Sequence, residues 1–563
     1  MSLLTRIRPP DEPVAADEPA NEKPRGRRIA ARVLTVLACL LVLFALLVPD
    51  QLSGFTVWAF LRIPVEALVV AGLALLLPAR PRRIVAAVLG AGLGVVLIVK
   101  LADIGFFVAF DRPFNLVFDW SFLPSAVGLV EDTAGKAGAI AAVIGVCLLI
   151  LALVAGMAFA AVRLTRVVAG RRTTTARTIA VLGLVWIVCA VFGLQAGQGQ
   201  PIAARTAASL AYHEMRQVTA DLRDRQAFAQ EVSTDAFSGI PPQQLLTALR
   251  GKDVLLTFVE SYGRVAVQDS DIAPGVDAVL DSGTQALRAA GFDSRSAFLT
   301  SSTTGGGSWF AHSTLESGTW VNNQQRYNDL VSGDRLTLAK AFGNAGWRTA
   351  ADDPANTRDW PEGKFYGYQQ VYDDRNVGYR GPNFSYATMP DQYTMKAFQQ
   401  AELAKPGHPP VMAEIDLVSS HWPWAPLPRM VGWDQVGDGS VYDPMPAQGK
   451  QLTDVWSDPA KVRAAYGDSI QYSLNTLISY VQHYGNDNTV LVFLGDHQPN
   501  TAVTGSEGAS RDVPITIVAR DPAVLDRISG WGWQEGLRPN PQAPVWPMSA
   551  FRDRFLTAFS DIP

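Results

Sequence analysis

Cysteine is scarce: the 563 residues hold three, Cys39, Cys147 and Cys189, and all three lie in apolar stretches. That excludes a disulfide framework, a cysteine zinc cluster and a thiol nucleophile from the polar part of the chain. Excess positive charge is also missing. The formal net charge is −4, so a nucleic-acid partner has no electrostatic support. The triple glycine Gly305-Gly306-Gly307 is followed by no lysine, which excludes a Walker-type phosphate loop. No small-residue cleavage site follows the first apolar run, which argues against a removable signal peptide. No internal repeat is visible.

What the chain does have is unevenly distributed. Mean hydropathy is +0.11 although 18% of the residues are charged, because the first 200 residues or so are mostly apolar and the remainder reads as a water-soluble domain. The length calls for at least two domains. The expected division is a disordered cytoplasmic tail over 1–32, a transmembrane domain over 33–200, a helical connector over 201–249 and a catalytic domain over 250–563. A spanning helix needs about 20 predominantly apolar residues. Five candidates occur, at 33–49, 55–78, 84–108, 137–161 and 178–197. The basic cluster at 23–32, the Arg80-Pro81-Arg82-Arg83 loop and the cations between 163 and 177 belong on the cytoplasmic side by the positive-inside rule. Five alternating crossings then place the catalytic domain outside the cell, in a multi-pass protein of the plasma membrane. Within the spans Arg62 with Glu66, and Lys100 with Asp103, are spaced to meet on one helix face. The Phe- and Trp-rich segment 106–122 reads as interfacial.

Beyond residue 250 the pattern changes. Continuous apolar runs at 254–259, 411–418, 489–494 and 513–519 have strand length and read as strands buried on both faces of a parallel sheet. Helical patterns at 277–290, 336–345 and 464–483 lie between them. Such alternation predicts an α/β domain with its ligands at the carboxyl ends of the strands. Two of those ends carry chemistry: Glu260 after the first run, and Asp496-His497 after Leu494-Gly495. Two carboxylates and one imidazole suit a single divalent cation, Mn2+ or Mg2+ by the oxygen count, with Zn2+ left open by the imidazole. Between them lies Ser301-Ser302-Thr303-Thr304-Gly305-Gly306-Gly307-Ser308, a hydroxyl- and glycine-rich loop. Its hydroxyl could complete the metal shell and act as a metal-activated nucleophile. Ser308 is the favoured oxygen, with Thr303 and Thr304 as alternatives. His213, His408 and His483 fall outside every motif.

These segments resemble the alkaline phosphatase and sulfatase superfamily, and within it the membrane-anchored lipoteichoic acid synthase type. The resemblance covers about residues 250–560 and extends to the polytopic N-terminal anchor. It rests on Leu256-Thr257-Phe258-Val259-Glu260-Ser261, on Ser308 with Gly318 ten residues later, on Gly495-Asp496-His497 and on Ser420-His421-Trp422-Pro423-Trp424. The resemblance implies an alkaline phosphatase-like domain with one divalent ion on Glu260, Ser308, Asp496 and His497, Mn2+ in the first place. It implies a covalent Ser308 intermediate, and His421 contacting substrate. Trp360 and Lys364 are carried over as weaker phosphate contacts, and His312 as a second acid or base. The implied reaction transfers a phosphoglycerol-type group from a membrane lipid such as phosphatidylglycerol to an envelope acceptor. Alternatives on the same fold are a phosphoethanolamine transferase, a phosphodiesterase or a sulfuric-ester hydrolase. A non-catalytic envelope-binding protein is the alternative from another class. Formylglycine sulfatases carry Pro and Arg where this chain has Phe310 and His312, so the resemblance favours a transferase over a sulfatase.

Overall fold

The structure, a computed structural model, describes residues 25–110, 112–505 and 509–562. The expected tail at 1–32 lies outside the described residues as far as residue 24. Its remainder, with Arg25, Arg27, Arg28 and Arg32, is already the first turns of helix α1, Arg25–Leu47. Two compact units emerge, one formed by Met1–Leu101 with Val127–His213 and the other by Ala102–Ala126 with Glu214–Pro563.

The first unit is helical: α1, then α2 (Val65–Leu76), most of α3 (Ala79–Phe110), most of α4 (Leu123–Gly170) and α5 (Arg172–Val191). Among the described residues four helices, not the expected five, are long and apolar enough to cross a membrane: Ile29–Leu47, Ala79–Phe107, Ala134–Gly170 and Arg172–Val191. The stretch expected to span at 55–78 is broken. It begins as short 3-10 turns and an extended Ile63–Pro64 paired with Ala203–Ala204, and only α2 is α-helical. Its twelve residues rise about 18 Å, well short of the roughly 30 Å hydrocarbon core. Pro64 explains the break, since it has no N–H to continue a helix from the preceding turn. The buried cations of this unit serve the backbone. Lys100 Nζ donates to the carbonyls of Ala45 and Val48 at 3.2 and 2.9 Å, where the last turn of α1 has no helical partners left. Arg62 donates to Leu47 O and Ala59 O, and Glu66 accepts from the N–H of Ala208.

The second unit is built on a nine-stranded sheet. In chain order its strands are β1 (Asp253–Val259), β2 (Asp293–Thr300), β3 (Arg348–Asp353), β4 (Gln370–Asp373), β5 (Val411–Leu417), β6 (Thr489–Gly495), β7 (Asp512–Ala519), β8 (Gln534–Glu535) and β9 (Val545–Pro547). Their spatial order is β8-β2-β7-β6-β1-β5-β3-β4, with β9 also paired to β2. The block β6-β1-β5-β3-β4 is parallel. The expected parallel sheet is therefore mixed, because β7 runs antiparallel to both β6 and β2. An apolar run such as 513–519 reports burial on both faces and carries no sign of direction. Every residue of β1 and β6 is buried. Helices α6 (Thr206–Ser233), α7 (Ala273–Ala289), α8 (Ser308–Ser317), α9 (Pro459–Tyr484) and α10 (Phe551–Phe559) complete the elements used below, with α7 packed on α9.

Candidate active site

Strands β1 and β6 are parallel neighbours with Val259 opposite Gly495, so the residues that follow them, Glu260 and Asp496, leave the sheet side by side. Glycine is required at 495, where a Cβ would stand 1.9 Å from the carbonyl oxygen of Tyr262. The main chain of Glu260 is also tied to β5: its N–H donates to Leu417 O at 3.1 Å, and Ser420 Oγ donates to its carbonyl at 2.6 Å. The hydroxyl-rich loop is laced to the residues that follow β6. Gly305 N–H donates to Gln498 O at 2.9 Å, and Thr304 pairs with Gln498 as a parallel bridge. Thr303 Oγ1 donates to Gly306 O at 2.6 Å.

The loop feeds α8 through Gly307, whose φ of 76° is left-handed. A residue with a Cβ adopts that conformation only at a cost. Ser308 is the first helical residue, at the end where free N–H groups and the helix dipole favour negative charge. The helix stops at Gly318, again left-handed at φ 65°. The ten-residue spacing from Ser308 to Gly318 is thus the length of one helix.

Four side chains converge at this point. Ser308 Oγ donates to Glu260 Oε2 at 3.0 Å and lies 3.3 Å from His497 Nε2. His497 Nε2 lies 3.4 Å from Glu260 Oε1 and 3.5 Å from Asp496 Oδ2. His497 Nδ1 donates to Gln498 O at 2.8 Å, which aims the other ring nitrogen at the carboxylates. Asp496 Oδ1 accepts from the N–H groups of Ser261 and His497, both at 2.7 Å, while its Oδ2 is buried without a hydrogen-bond partner. Burial works to raise the Glu260 carboxyl, but the His497 and His421 imidazoles outweigh it and hold the group at about 2. Burial and the Glu260 charge push Asp496 up to about 7. Burial lowers His497, and the Asp496 and Glu260 charges more than reverse that.

A cation fits the cluster. Ligand atoms about 2.0–2.1 Å from a tetrahedral ion stand roughly 3.3–3.4 Å from one another, and the four separations above run from 3.0 to 3.5 Å. The orphaned Asp496 oxygen is the kind of atom such an ion satisfies.

The remaining sequence-derived residues are distributed differently. His421 is partly exposed, stacked on Tyr386 at 3.7 Å. Its Nδ1 donates to Trp422 O at 2.6 Å, which leaves Nε2 as the nitrogen free to exchange a proton with a ligand. His312 belongs to a second group. Its ring stacks on Phe258 at 3.9 Å, and its Nδ1 lies 3.1 Å from Glu414 Oε1 and 3.6 Å from Asp416 Oδ1. Trp360 packs on Tyr366 and Tyr368, and Lys364 is exposed on the short helical turn Gly363–Tyr366. Neither lies among the four converging side chains. Sequence reasoning missed Glu414 and Asp416 by reading 411–418 as an uninterrupted apolar run. The signal was present, since two acids two residues apart share one face of a strand, and burying them costs free energy unless something compensates.

Residues 294–514 match the family model described as Sulfatase. Among solved structures the chain is similar to the lipoteichoic acid synthase LtaP from Listeria monocytogenes, at 14% identity over 61% of this chain and 78% of that one, TM-score 0.37. It is similar to the phosphoglycerol transferase GacH from Streptococcus pyogenes, at 13% identity over 61% and 91%, TM-score 0.34. It is also similar to the lipooligosaccharide phosphoethanolamine transferase EptA from Neisseria meningitidis, at 12% identity over 93% and 95%, TM-score 0.44. No curated protein sequence matches the chain.

Proposed function

We propose, for a membrane protein whose soluble unit belongs to the sulfatase superfamily, that this unit transfers a phosphoryl-linked headgroup from a membrane glycerophospholipid such as phosphatidylglycerol to an envelope hydroxyl or to water. The observation that carries the reading is the position of Ser308 Oγ, at a helix N-terminus and within hydrogen-bonding reach of Glu260 and His497.

Glu260, Ser308, Asp496 and His497 would hold one divalent cation, Mn2+ in the first place, which supplies charge that acidifies the serine hydroxyl and stabilises the phosphoryl oxygens. Every step belongs to the chain's own residues. Ser308 Oγ–H faces the Glu260 carboxylate, which is the acceptor for its proton. The oxygen bonds to phosphorus while the bond from phosphorus to the diacylglycerol oxygen breaks. That leaving oxygen takes a proton from His421 Nε2. In the second half an acceptor hydroxyl, or water, gives its proton back to His421 and bonds to phosphorus, and Ser308 is released and reprotonated. Work on an extracytoplasmic face is part of this reading: with four crossings it keeps Arg80, Arg82, Arg83 and the cations at 163–177 cytoplasmic and requires the start of α1 to lie outside, against the positive-inside expectation for its basic residues.

The test is mass spectrometry of the purified protein incubated with Mn2+ and headgroup-labelled phosphatidylglycerol. A labelled adduct on Ser308 is expected. Labelled product with no adduct on any hydroxyl overturns the covalent route.

A further inference from the structure

The His312 group is a second place where ligand atoms converge, and the mechanism above does not use it. His312 lies one helical turn after Ser308 on α8, while Glu414 and Asp416 share one face of β5. That face adjoins β1, with Leu256 beside Glu414 and Phe258 beside Asp416. His312 Nδ1, one oxygen of Glu414 and one of Asp416 all lie within 4.8 Å of one another. The two separations from the nitrogen, 3.1 and 3.6 Å, bracket the roughly 3.3–3.4 Å expected between ligands of a tetrahedral ion.

Three further observations point to a ligand. Asp416 Oδ1 is buried with no hydrogen-bond partner. Glu316, fully buried and one turn beyond His312 on the same face of α8, has an Oε1 that is likewise unpartnered. The would-be ligands are also held as metal ligands are: Tyr368 Oη donates to the outer oxygen of Glu414 at 2.7 Å, and the Phe258 ring fixes the imidazole plane.

We propose that His312, Glu414 and Asp416 bind a second divalent first-row cation, Zn2+ or Mn2+, which ties the helix carrying Ser308 to strand β5. One imidazole with two carboxylates is a donor set that such ions accept. The proposal goes beyond the reaction assigned above and stands without it, since none of its ligands is among Glu260, Ser308, Asp496 and His497.

The test counts ions. The full-length protein, purified in detergent and stripped with chelator, is re-equilibrated with Zn2+ or Mn2+ separately, and metal per chain is measured by mass spectrometry. Two ions are expected in the unaltered protein and one each in Asp416→Asn and Asp496→Asn. A single ion that vanishes in Asp416→Asn and survives in Asp496→Asn also supports this site, and instead removes the ion from Ser308. A single ion lost only in Asp496→Asn overturns the proposal, as do two ions unaffected by Asp416→Asn, or none. Should Asp416→Asn lose its cooperative melt, Co2+ titration of the unaltered protein decides. Visible absorption rising through a second equivalent supports the site; saturation at one equivalent supports it if Asp496→Asn keeps that absorption and overturns it if Asp496→Asn removes it.

Discussion

Ser308 is where the functional reading is most exposed to test. Ser308→Ala is expected to abolish both turnover and adduct, because loss of a covalent nucleophile costs about 10⁶ in rate where it has been measured. Ser308→Thr keeps the oxygen and should retain part of the activity. Thr303→Ala should cost far less, since that hydroxyl is already donated to Gly306 O. If Thr304→Ala is as inactive as Ser308→Ala and the adduct maps to residue 304, the nucleophile moves while the fold stands. A second residue prediction concerns Asp352, buried in β3 with neither carboxylate oxygen hydrogen-bonded. Burial, with the charges of Asp353 and Asp373, pushes it up to about 8, against about 3.9 for an unfolded Asp. Between those values the folded state holds a proton that the unfolded state has lost, so this group makes stability fall as pH rises from about 4 to 8. Asp352→Asn is neutral throughout and should flatten that part of the melting-temperature profile; an unchanged slope means that Asp352 is not the group responsible.

Elements decide how residues reach the site. Helix α8 depends on its entry, and a Cβ at Gly307 would also meet the Phe310 ring at 3.1 Å. Gly307→Ala should cost about 1–2 kcal/mol for the left-handed conformation alone and lower kcat more than it raises KM, by turning Ser308 off line. Helix α10 bears on stability through one buried cation. Its Arg552 is fully buried and donates to Asp235 at 2.9 and 3.2 Å, to Asp553 at 2.8 Å and to the carbonyl of Leu336. Removing one partner of a buried pair costs about 3–5 kcal/mol. Arg552→Ala should approach the lower figure, because Arg335 remains 3.8 Å from Asp235. Adding Asp235→Asn should recover part of the loss in melting temperature; no recovery would locate the cost in packing instead.

At the scale of the molecule, side is the first question. A reporter fused after residue 200 should be active only outside the cytoplasm, and one fused at Gly170 only inside; the reverse would move the catalytic unit to the other face. The same scale shows what was legible. Strand ends announce themselves: an apolar run that stops at Glu260 or at Gly495-Asp496-His497 states both the element and where its ligands go. Strand β2 gave no such sign, because Asp293, Ser294, Arg295 and Ser296 are polar residues at a pairing position set by distant β7. Glu414 and Asp416 were hidden for the opposite reason, inside a run otherwise apolar enough to read as core. At 55–78 hydropathy averaged over a break that one proline makes, so the count of spans came out high.

The partition of the chain has a practical corollary for anyone wishing to secrete the catalytic unit alone. Residues 102–126 begin in the last turns of one spanning helix and precede two more in sequence, yet they cluster with the catalytic unit, where Phe122 lies 5.9 Å from Trp309, the neighbour of Ser308. A soluble fragment beginning at Glu214 therefore leaves behind a piece of its own fold. Such a fragment should come out less soluble than its composition promises, with Trp309 uncovered and emitting at longer wavelength. Supplying 102–126 as a separate peptide, in the manner of a split reporter, should blue-shift that fluorescence and raise the melting temperature.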